Sequence, residues 1–192
     1  MTGVGYPIGL EVAPPAPQGR LGVFFRLILA IPAWIVGTIL LYVGEILAVF
    51  SWFIILITGK LPGGIANLIG GALRWYFRVL AYVFLLTGKY PPFSLDDTAD
   101  YPVRVLIQPQ LQGRNRLTVF FRLLIAIPSA IVLSILFVVA YVLLFFAWLI
   151  AVITGSVPGG LHNFFAGVLR WWVRLEAYIF LLTDQYPPFS LS

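Results

Sequence analysis

The stretch Arg20-Leu-Gly-Val-Phe-Phe-Arg26 returns 96 residues later as Arg116-Leu-Thr-Val-Phe-Phe-Arg122. From Arg20 to Leu95 the spacing to the second copy never changes, and 43 of these 76 positions are identical in both copies. The identical residues include Pro, Gly, Asn, Arg and Trp, so shared hydrophobicity does not explain the match. A constant period of this kind marks a duplicated structural unit. The sequence therefore predicts two tandem modules, at residues 1–97 and 98–192.

The composition predicts an integral membrane protein. Hydrophobic residues make up 61% of the chain and charged residues 10%, whereas soluble domains contain about 45–50% and about 25%. Residues 123–169 contain no Asp, Glu, Lys or Arg, and about 20 apolar residues suffice to cross a bilayer. Because the chain has no Cys and one His, we expect no disulfide, no metal site and no cofactor.

The residue pattern predicts the same elements in both modules. In the first module, residues 6–12 form a short extended segment, residues 20–31 a short interfacial helix and residues 32–58 a long helix that Pro32 starts or kinks. A Gly-Pro turn follows, and residues 62–86 form a second helix. In the second module the corresponding ranges are 101–107, 116–127, 128–154 and 158–182. We expect the two extended segments to pair with each other outside the membrane.

These elements predict an all-α integral membrane fold of two helical-hairpin modules, with four transmembrane helices in parallel repeats. Two crossings per module return the chain to its starting side, so a pseudo-twofold axis would run along the membrane normal. Seven basic residues then fall on one side and Lys60 alone on the other, and the positive-inside rule places both termini in the cytoplasm. In the alternative topology the second helix of each module lies flat in the interface, and the second module is inverted.

Several motifs carry a family resemblance. They are the Phe-Phe-Arg stretch, the Ile-Pro that follows it, the Arg-Trp-x-x-Arg helix and the closing Tyr-Pro-Pro-Phe-Ser, and both modules contain all four. Together these motifs resemble a bacterial membrane family that is described only as a domain of unknown function (family 4389). The resemblance implies a membrane location and the tandem architecture, and it implies no activity.

A polar stripe runs along the second helix of each module. In the first copy Asn67, Gly71, Arg74 and Arg78 recur at i, i+4, i+7 and i+11, a spacing that places them on one helix face. The second copy repeats the stripe with Asn163, Gly167, Arg170 and Arg174. Intramembrane charges usually pair within the protein, so we expect these arginines to stabilise the fold. The alternative is that paired arginines bind the phosphate of a lipid or another anion.

Glu45 is the predicted partner of Arg74. Counted from Lys60, Glu45 lies 15 residues back and Arg74 lies 14 residues forward. In an antiparallel hairpin they would therefore lie at the same depth and form an ion pair. In the second copy Tyr141 stands in place of Glu45, and we expect its hydroxyl to serve Arg170.

The basic residues indicate a lipid partner. Arg26 and Arg122 lie in the predicted interfacial helices, from which their side chains can reach lipid headgroups. The net charge is +5, and the basic residues flank apolar runs, so we expect anionic lipids rather than nucleic acid as the counter-charge.

The sequence contains no recurring nucleophile–base pair, so we expect no enzymatic activity. The leading hypothesis is an accessory or scaffold subunit of a membrane protein complex in the cytoplasmic membrane, with other membrane proteins or further copies of itself as partners. The alternative hypothesis is an anionic-lipid- or anion-binding or transport protein that uses the intramembrane arginines.

Overall fold

The computed structural model describes residues 6–192, so the first five residues of the first predicted module lie outside it. The first repeat contains strand β1 (Ile8–Val12) and helices α1 (Arg20–Phe24), α2 (Arg26–Thr58) and α3 (Gly63–Val83). The second repeat contains strand β2 (Val103–Ile107) and helices α4 (Arg116–Phe120), α5 (Arg122–Thr154) and α6 (Gly159–Ile179). The predictions of a mostly helical fold and of a tandem repeat are confirmed.

The long helices begin earlier than predicted. Helix α2 begins at Arg26 and continues through Pro32, and α5 begins at Arg122 and continues through Pro128. A proline removes one N–H and crowds the carbonyl four residues earlier. Because that carbonyl lies in the first turn of the helix here, little of the helix is disturbed. The predicted interfacial helices, which were expected to extend to residues 31 and 127, are therefore only the five-residue helices α1 and α4.

The hairpin turns have the predicted chemistry. Gly59 and Gly155 end α2 and α5 with φ of 70° and 79°, a left-handed conformation that glycine adopts without steric cost. Pro62 and Pro158 stand immediately before α3 and α6, where their fixed φ prepares the first turn.

The two strands pair with each other, as predicted. They are antiparallel, with Leu10 opposite Val105. Since side chains alternate across a strand, one face of the sheet buries Ile8, Leu10 and Val105, while the other face carries Glu11 and Arg104.

The two long helices run antiparallel to each other. The Trp52 indole N–H near the end of α2 donates to the carbonyl of Val119 at the start of the second repeat, at 3.0 Å. Trp148 in α5 donates in the same way to Val23 at 3.1 Å. The start of each repeat therefore lies beside the end of the other repeat's long helix.

Helices α3 and α6 also run antiparallel, and they form the middle layer of the molecule. The rings of Phe84 and Phe165 lie 5.8 Å apart, and so do those of Tyr76 and Trp172. Tyr76 and Trp172 are repeat-related residues, as are Leu10 and Val105 in the sheet. A pseudo-twofold axis therefore passes through the sheet and through the contact between α3 and α6, perpendicular to the strands and to the long helices.

The sheet and the long helices lie on opposite sides of the middle layer. On α3, Arg74 contacts β2 through the Val105 carbonyl, whereas Ala72 contacts Gly44 and Trp75 contacts Gly37 of α2. At about 100° per residue, Ala72 lies about 160° and Trp75 about 100° around α3 from Arg74, so α2 and the sheet pack on different sides of α3. The order of layers is therefore the sheet, then α3 with α6, then α2 with α5.

The prediction of four transmembrane helices is not supported. Within residues 6–192, only α2 and α5 are long and apolar enough to cross a membrane. Helices α3 and α6 each carry two arginines and are largely buried inside the protein. The predicted sides are also wrong: the Arg116 side chain lies 3.7 Å from where a Cβ would stand on Gly59, so Arg116 shares an end of the molecule with Lys60.

Candidate functional site

The arginines of the polar stripe hold the sheet on the middle layer. Arg74 Nε donates to the Val105 carbonyl at 3.4 Å, and Arg170 Nε donates to the Leu10 carbonyl at 3.0 Å. Arg170 Nη1 also donates to the Leu191 carbonyl at 2.9 Å. The guanidinium groups therefore bind backbone oxygens of β1 and β2 and of the C-terminal segment.

Of the other two stripe arginines, Arg78 faces the segment that follows the first hairpin, and Arg174 faces Tyr6, which precedes β1. Arg78 is buried and donates to the carbonyls of Ser94, at 3.0 Å, and Asp96. The Arg174 guanidinium lies 5.7 Å from the centre of the Tyr6 ring, within the range of a cation–π contact.

The predicted Glu45–Arg74 ion pair is absent from the described part of the chain. No ion pair joins these residues, because Arg74 faces the sheet while α2 lies on the opposite face of α3. For the same reason the Tyr141 hydroxyl does not reach Arg170. Asn67 and Asn163, one on each stripe, are both exposed.

Arg26 and Arg122 are buried rather than interfacial, which corrects the prediction from sequence. Each side chain is 2% exposed. Arg26 Nη1 donates to the carbonyls of Tyr82, at 2.9 Å, and Thr87, at 2.8 Å, at the end of α3. Arg122 Nη1 makes the same two bonds at the end of α6. Each guanidinium also lies 4.4 Å from the centre of a Tyr ring, which adds a cation–π contact.

The helix ends that these arginines cap need such a partner. Leu85 follows α3 with φ of 61°, and the Leu86 N–H bonds back to Ala81 O at 2.9 Å, which closes a Schellman-type turn. The carbonyls of the last helical turn lack helical N–H partners and carry the negative end of the helix dipole. A buried arginine satisfies both requirements.

In the second repeat an acidic residue reinforces the cap. The Asp184 carboxylate accepts hydrogen bonds from Arg114, at 2.9 and 2.7 Å, and from Arg122. Burial alone raises the pKa of Asp184, but the bonds from Arg114 and Asn115 and the charges of both arginines hold it below its usual value. The first repeat has Gln18 and Gly88 at the positions of Arg114 and Asp184. The sequence does not predict this pair by itself. The signal that could have found it is that both positions differ between the repeats, with an oppositely charged pair in the second repeat only.

A groove of about 420 Å³ opens between α2, the start of α5 and the end of α6. We call it the acidic groove because Glu45 and Glu176 both line it. The Trp172 indole N–H donates to Glu176 Oε1 at 2.8 Å. Burial, opposed by this hydrogen bond, and the nearby charge of Glu45 raise the pKa of Glu176. Glu45 itself is exposed in the middle of the apolar helix α2.

Within the described range, no group of three or more His, Asp or Glu side chains is placed to hold a metal ion. The single histidine, His162, is buried, with Nε2 3.3 Å from the Leu86 carbonyl.

A family model described as Domain of unknown function (DUF4389) matches this chain twice, at residues 20–94 and 116–190. Each matched range runs from the first short helix through the Tyr-Pro-Pro-Phe-Ser stretch. It therefore includes Arg26 or Arg122 and the helix end that this arginine caps, but neither strand. No curated protein and no solved structure matches the chain.

Proposed function

We propose a function from the geometry of this structure, because the chain belongs to the family described as Domain of unknown function (DUF4389) and this membership assigns no activity. The protein is a non-enzymatic accessory or scaffold subunit of a membrane protein complex. It is anchored by its long helices, and it presents its sheet-bearing face to a partner protein.

One observation carries this proposal: most of the exposed large apolar side chains lie on one side of the molecule. They belong to α1, α2, α4 and α5 and to the residues that join them. Examples are Leu27, Ile57 and Ile153, which are 68%, 75% and 71% exposed. Exposed apolar surface this extensive is rare in soluble monomers and indicates a membrane or protein contact.

The position of the sheet favours long helices that lie in the plane of the membrane. The Val105 carbonyl binds Arg74, and Ala72 next to it contacts Gly44, near the middle of α2. If α2 and α5 crossed the bilayer, the sheet would lie at the depth of the hydrocarbon core. Glu11 and Arg104 would then be exposed to lipid there, at a cost of at least about 2.5 kcal/mol for each charge. Lipid-exposed edges of open sheets do not occur at that depth.

An in-plane arrangement removes this conflict. The apolar helices α2 and α5, which cover one side of the molecule, then enter one leaflet, and the sheet faces water. The exposed basic residues Arg20, Lys60 and Arg116 lie at the two ends of the long helices, where they can contact anionic headgroups. This charge favours the cytoplasmic leaflet, with both termini in the cytoplasm.

The sheet-bearing face is the proposed partner surface. It carries a charged network in which Arg104 lies 2.5 Å from Asp97 and 3.6 Å from Glu11. Such a polar surface, held on a rigid middle layer, suits a reversible protein contact with a polar rim.

Crosslinking in the native membrane tests this function. A photo-crosslinking residue at Glu11, on the sheet, is expected to capture a second protein in stoichiometric yield. The same residue at Ile135, which is 61% exposed on α5, serves as the matched control and is expected to react with lipid. Lipid adducts alone at both positions, with a free monomer after gentle extraction, would contradict the scaffold function.

A second candidate function is anion or anionic-lipid binding. One observation favours it: Arg170, Asn163 and His162 line an open groove of about 420 Å³ beside Pro14 and Pro15. Arg170 Nε and Nη1 already donate to the carbonyls of Leu10 and Leu191, which weakens this candidate. For Arg170→Ala we expect a loss of stability with unchanged co-purification of phospholipid. At least a fivefold loss of bound phosphatidylglycerol by mass spectrometry would favour the anion-binding function instead.

A further inference from the structure

The two repeats form equivalent grooves that have diverged. The counterpart of the acidic groove is lined by Arg26, Tyr141, Leu144, Phe145 and Trp148, and we call it the tyrosine groove. Its volume is about 300 Å³, against about 420 Å³ for the acidic groove. The difference has a direct cause, since Leu144 and Phe145 occupy the positions of the smaller Ala48 and Val49.

Two of the acidic differences between the repeats converge on the wider groove. Glu45 belongs to the first repeat, and its counterpart is Tyr141. Glu176 belongs to the second repeat, and its counterpart is Leu80. These two differences, in different modules, have therefore placed two carboxyl groups at one site, where Ala48 and Val49 also leave additional space.

The described surroundings provide no free counter-charge for these carboxyl groups. Arg122 also lines the groove, but its guanidinium is bound to the carbonyls of Tyr178 and Thr183 and to the carboxylate of Asp184. Glu45 and Glu176 form no ion pair within residues 6–192. A carboxylate in apolar surroundings is costly unless a cation or a hydrogen-bond donor accompanies it. Glu176 Oε1 has the Trp172 N–H as its donor, so within the described residues Glu45 is the carboxyl group left without a partner.

We infer that the acidic groove binds a lipophilic amine, whose ammonium group lies between Glu45 and Glu176 and whose hydrocarbon chain lies along Ala48, Val49 and Trp52. Such an amine could be the headgroup of an aminophospholipid or a free lipid-soluble amine. The apolar walls provide the hydrophobic contact and the two carboxyl groups provide the charge selectivity. The tyrosine groove lacks both carboxyl groups and does not bind this ligand.

Tryptophan fluorescence tests the site on the purified full-length chain in detergent micelles. The probe is a stearylamine with a nitroxide on its chain, and the control is the stearyl alcohol with the same label. We expect saturable quenching by the amine, with an apparent affinity at least tenfold higher than that of the alcohol. Most of this quenching should disappear in Trp52→Phe and persist in Trp148→Phe, since these residues belong to the acidic and tyrosine grooves. Equal quenching by the alcohol, or loss in Trp148→Phe instead, would overturn the assignment.

The tyrosine groove supplies the matched variants. Glu45→Tyr with Glu176→Leu removes both carboxyl groups, and Ala48→Leu with Val49→Phe removes space. Each change installs the residue that the other repeat already accommodates, so we expect folded proteins with at least tenfold weaker binding of the amine. Unchanged binding by the carboxyl variant, verified as folded by circular dichroism, would refute the site.

Competition identifies the source of the amine. Displacement of the probe by phosphatidylethanolamine but not by phosphatidylglycerol supports an aminophospholipid, and displacement by unlabelled stearylamine alone supports a free amine. If neither stearylamine nor phosphatidylethanolamine displaces the probe, the inference fails. Because the measurement uses micelles, its result does not depend on how the helices lie in a membrane or on any partner protein.

Discussion

Arg26 and Arg122 connect the two ends of each repeat. Each arginine lies at the start of a long helix, and its guanidinium donates to carbonyls at and just beyond the end of the buried helix that follows. Two hydrogen bonds from one charged nitrogen and the contact with a Tyr ring fix its position. This use of an arginine requires a planar group that lies against the Tyr ring while one of its nitrogens makes both bonds, and the compact ammonium of lysine lacks that plane.

We expect Arg26→Lys to lower the free energy of unfolding by about 1.5–3 kcal/mol, because an ammonium cannot reproduce both bonds and the ring contact. Arg122→Lys should cost more, since Arg122 also binds Asp184. Thermal unfolding in detergent measures both variants. Arg20→Lys is the control, because Arg20 is exposed and should change stability by less than about 0.5 kcal/mol. Equal melting temperatures for all three variants would contradict the capping role.

The Asp184 carboxylate should make the stability depend on pH. Its pKa is lower in the folded protein than its usual value, so its contribution is complete above about pH 5. That contribution is lost as the pH falls through the folded pKa. Denaturant titrations from pH 3 to pH 7 should therefore give a stability difference between wild type and Asp184→Asn that is largest near neutrality and shrinks below about pH 4. A difference that is constant with pH would show that the charge of Asp184 contributes nothing.

At the scale of elements, α3 and α6 are held by close contact with the segments that follow them. A Cβ on Gly71 would stand 2.9 Å from Leu95 Cβ, and a Cβ on Gly167 would stand 2.8 Å from Leu191 Cβ. These two glycines are repeat-related, and so are the leucines that cover them. The Tyr-Pro-Pro-Phe-Ser-Leu stretch thus lies directly against a helix face that only glycine leaves open.

We expect Gly71→Ala to lower the free energy of unfolding by about 1–3 kcal/mol, because the added methyl group must displace Leu95. The matched control is Gly64→Ala, in the same helix, where nothing lies within 4 Å of the added Cβ. That change should be neutral or stabilising by up to about 1 kcal/mol, since alanine favours the helix. If both variants melt at the same temperature, the contact with Leu95 does not constrain α3.

At the scale of the whole molecule, three membrane arrangements differ in the side of the membrane on which the ends of the antiparallel long helices lie. Lys60 and Ser156 are repeat-related, exposed and located just beyond α2 and α5, at opposite ends of the molecule. The in-plane arrangement places both of them on the same side of the membrane as Glu11. Upright helices would place Lys60 and Ser156 on opposite sides. Four parallel spans would place both of them opposite Glu11.

Single-cysteine labelling tests these arrangements, because the chain contains no cysteine of its own. We expect Lys60→Cys, Ser156→Cys and Glu11→Cys to react with a membrane-impermeant maleimide from the same side of sealed vesicles. Val138→Cys, in the exposed apolar part of α5, is the control and should stay unlabelled. Reaction of Lys60→Cys and Ser156→Cys from opposite sides would refute the in-plane arrangement.

The sequence by itself determined the local features of this protein. Repeat identities established the two copies, Gly59 and Gly155 marked the helix ends, and alternating residues marked the two strands. These features depend on residues close together in the chain, so periodicity and backbone preference suffice to find them. The low charge of residues 123–169 likewise indicated a long apolar helix without any knowledge of its neighbours.

Only the tertiary structure decided where the arginines and acids act. A helix-face analysis placed Arg74 opposite Glu45 by counting along a hairpin, but it could not know that the sheet occupies that face. Residues 20–31 are predicted as an interfacial helix, which places Arg26 at the interface, whereas Arg26 binds carbonyls 56 and 61 residues away. The acidic groove combines residues of both repeats. Such contacts depend on how the two modules pack across the pseudo-twofold axis, which spacing along one chain does not specify.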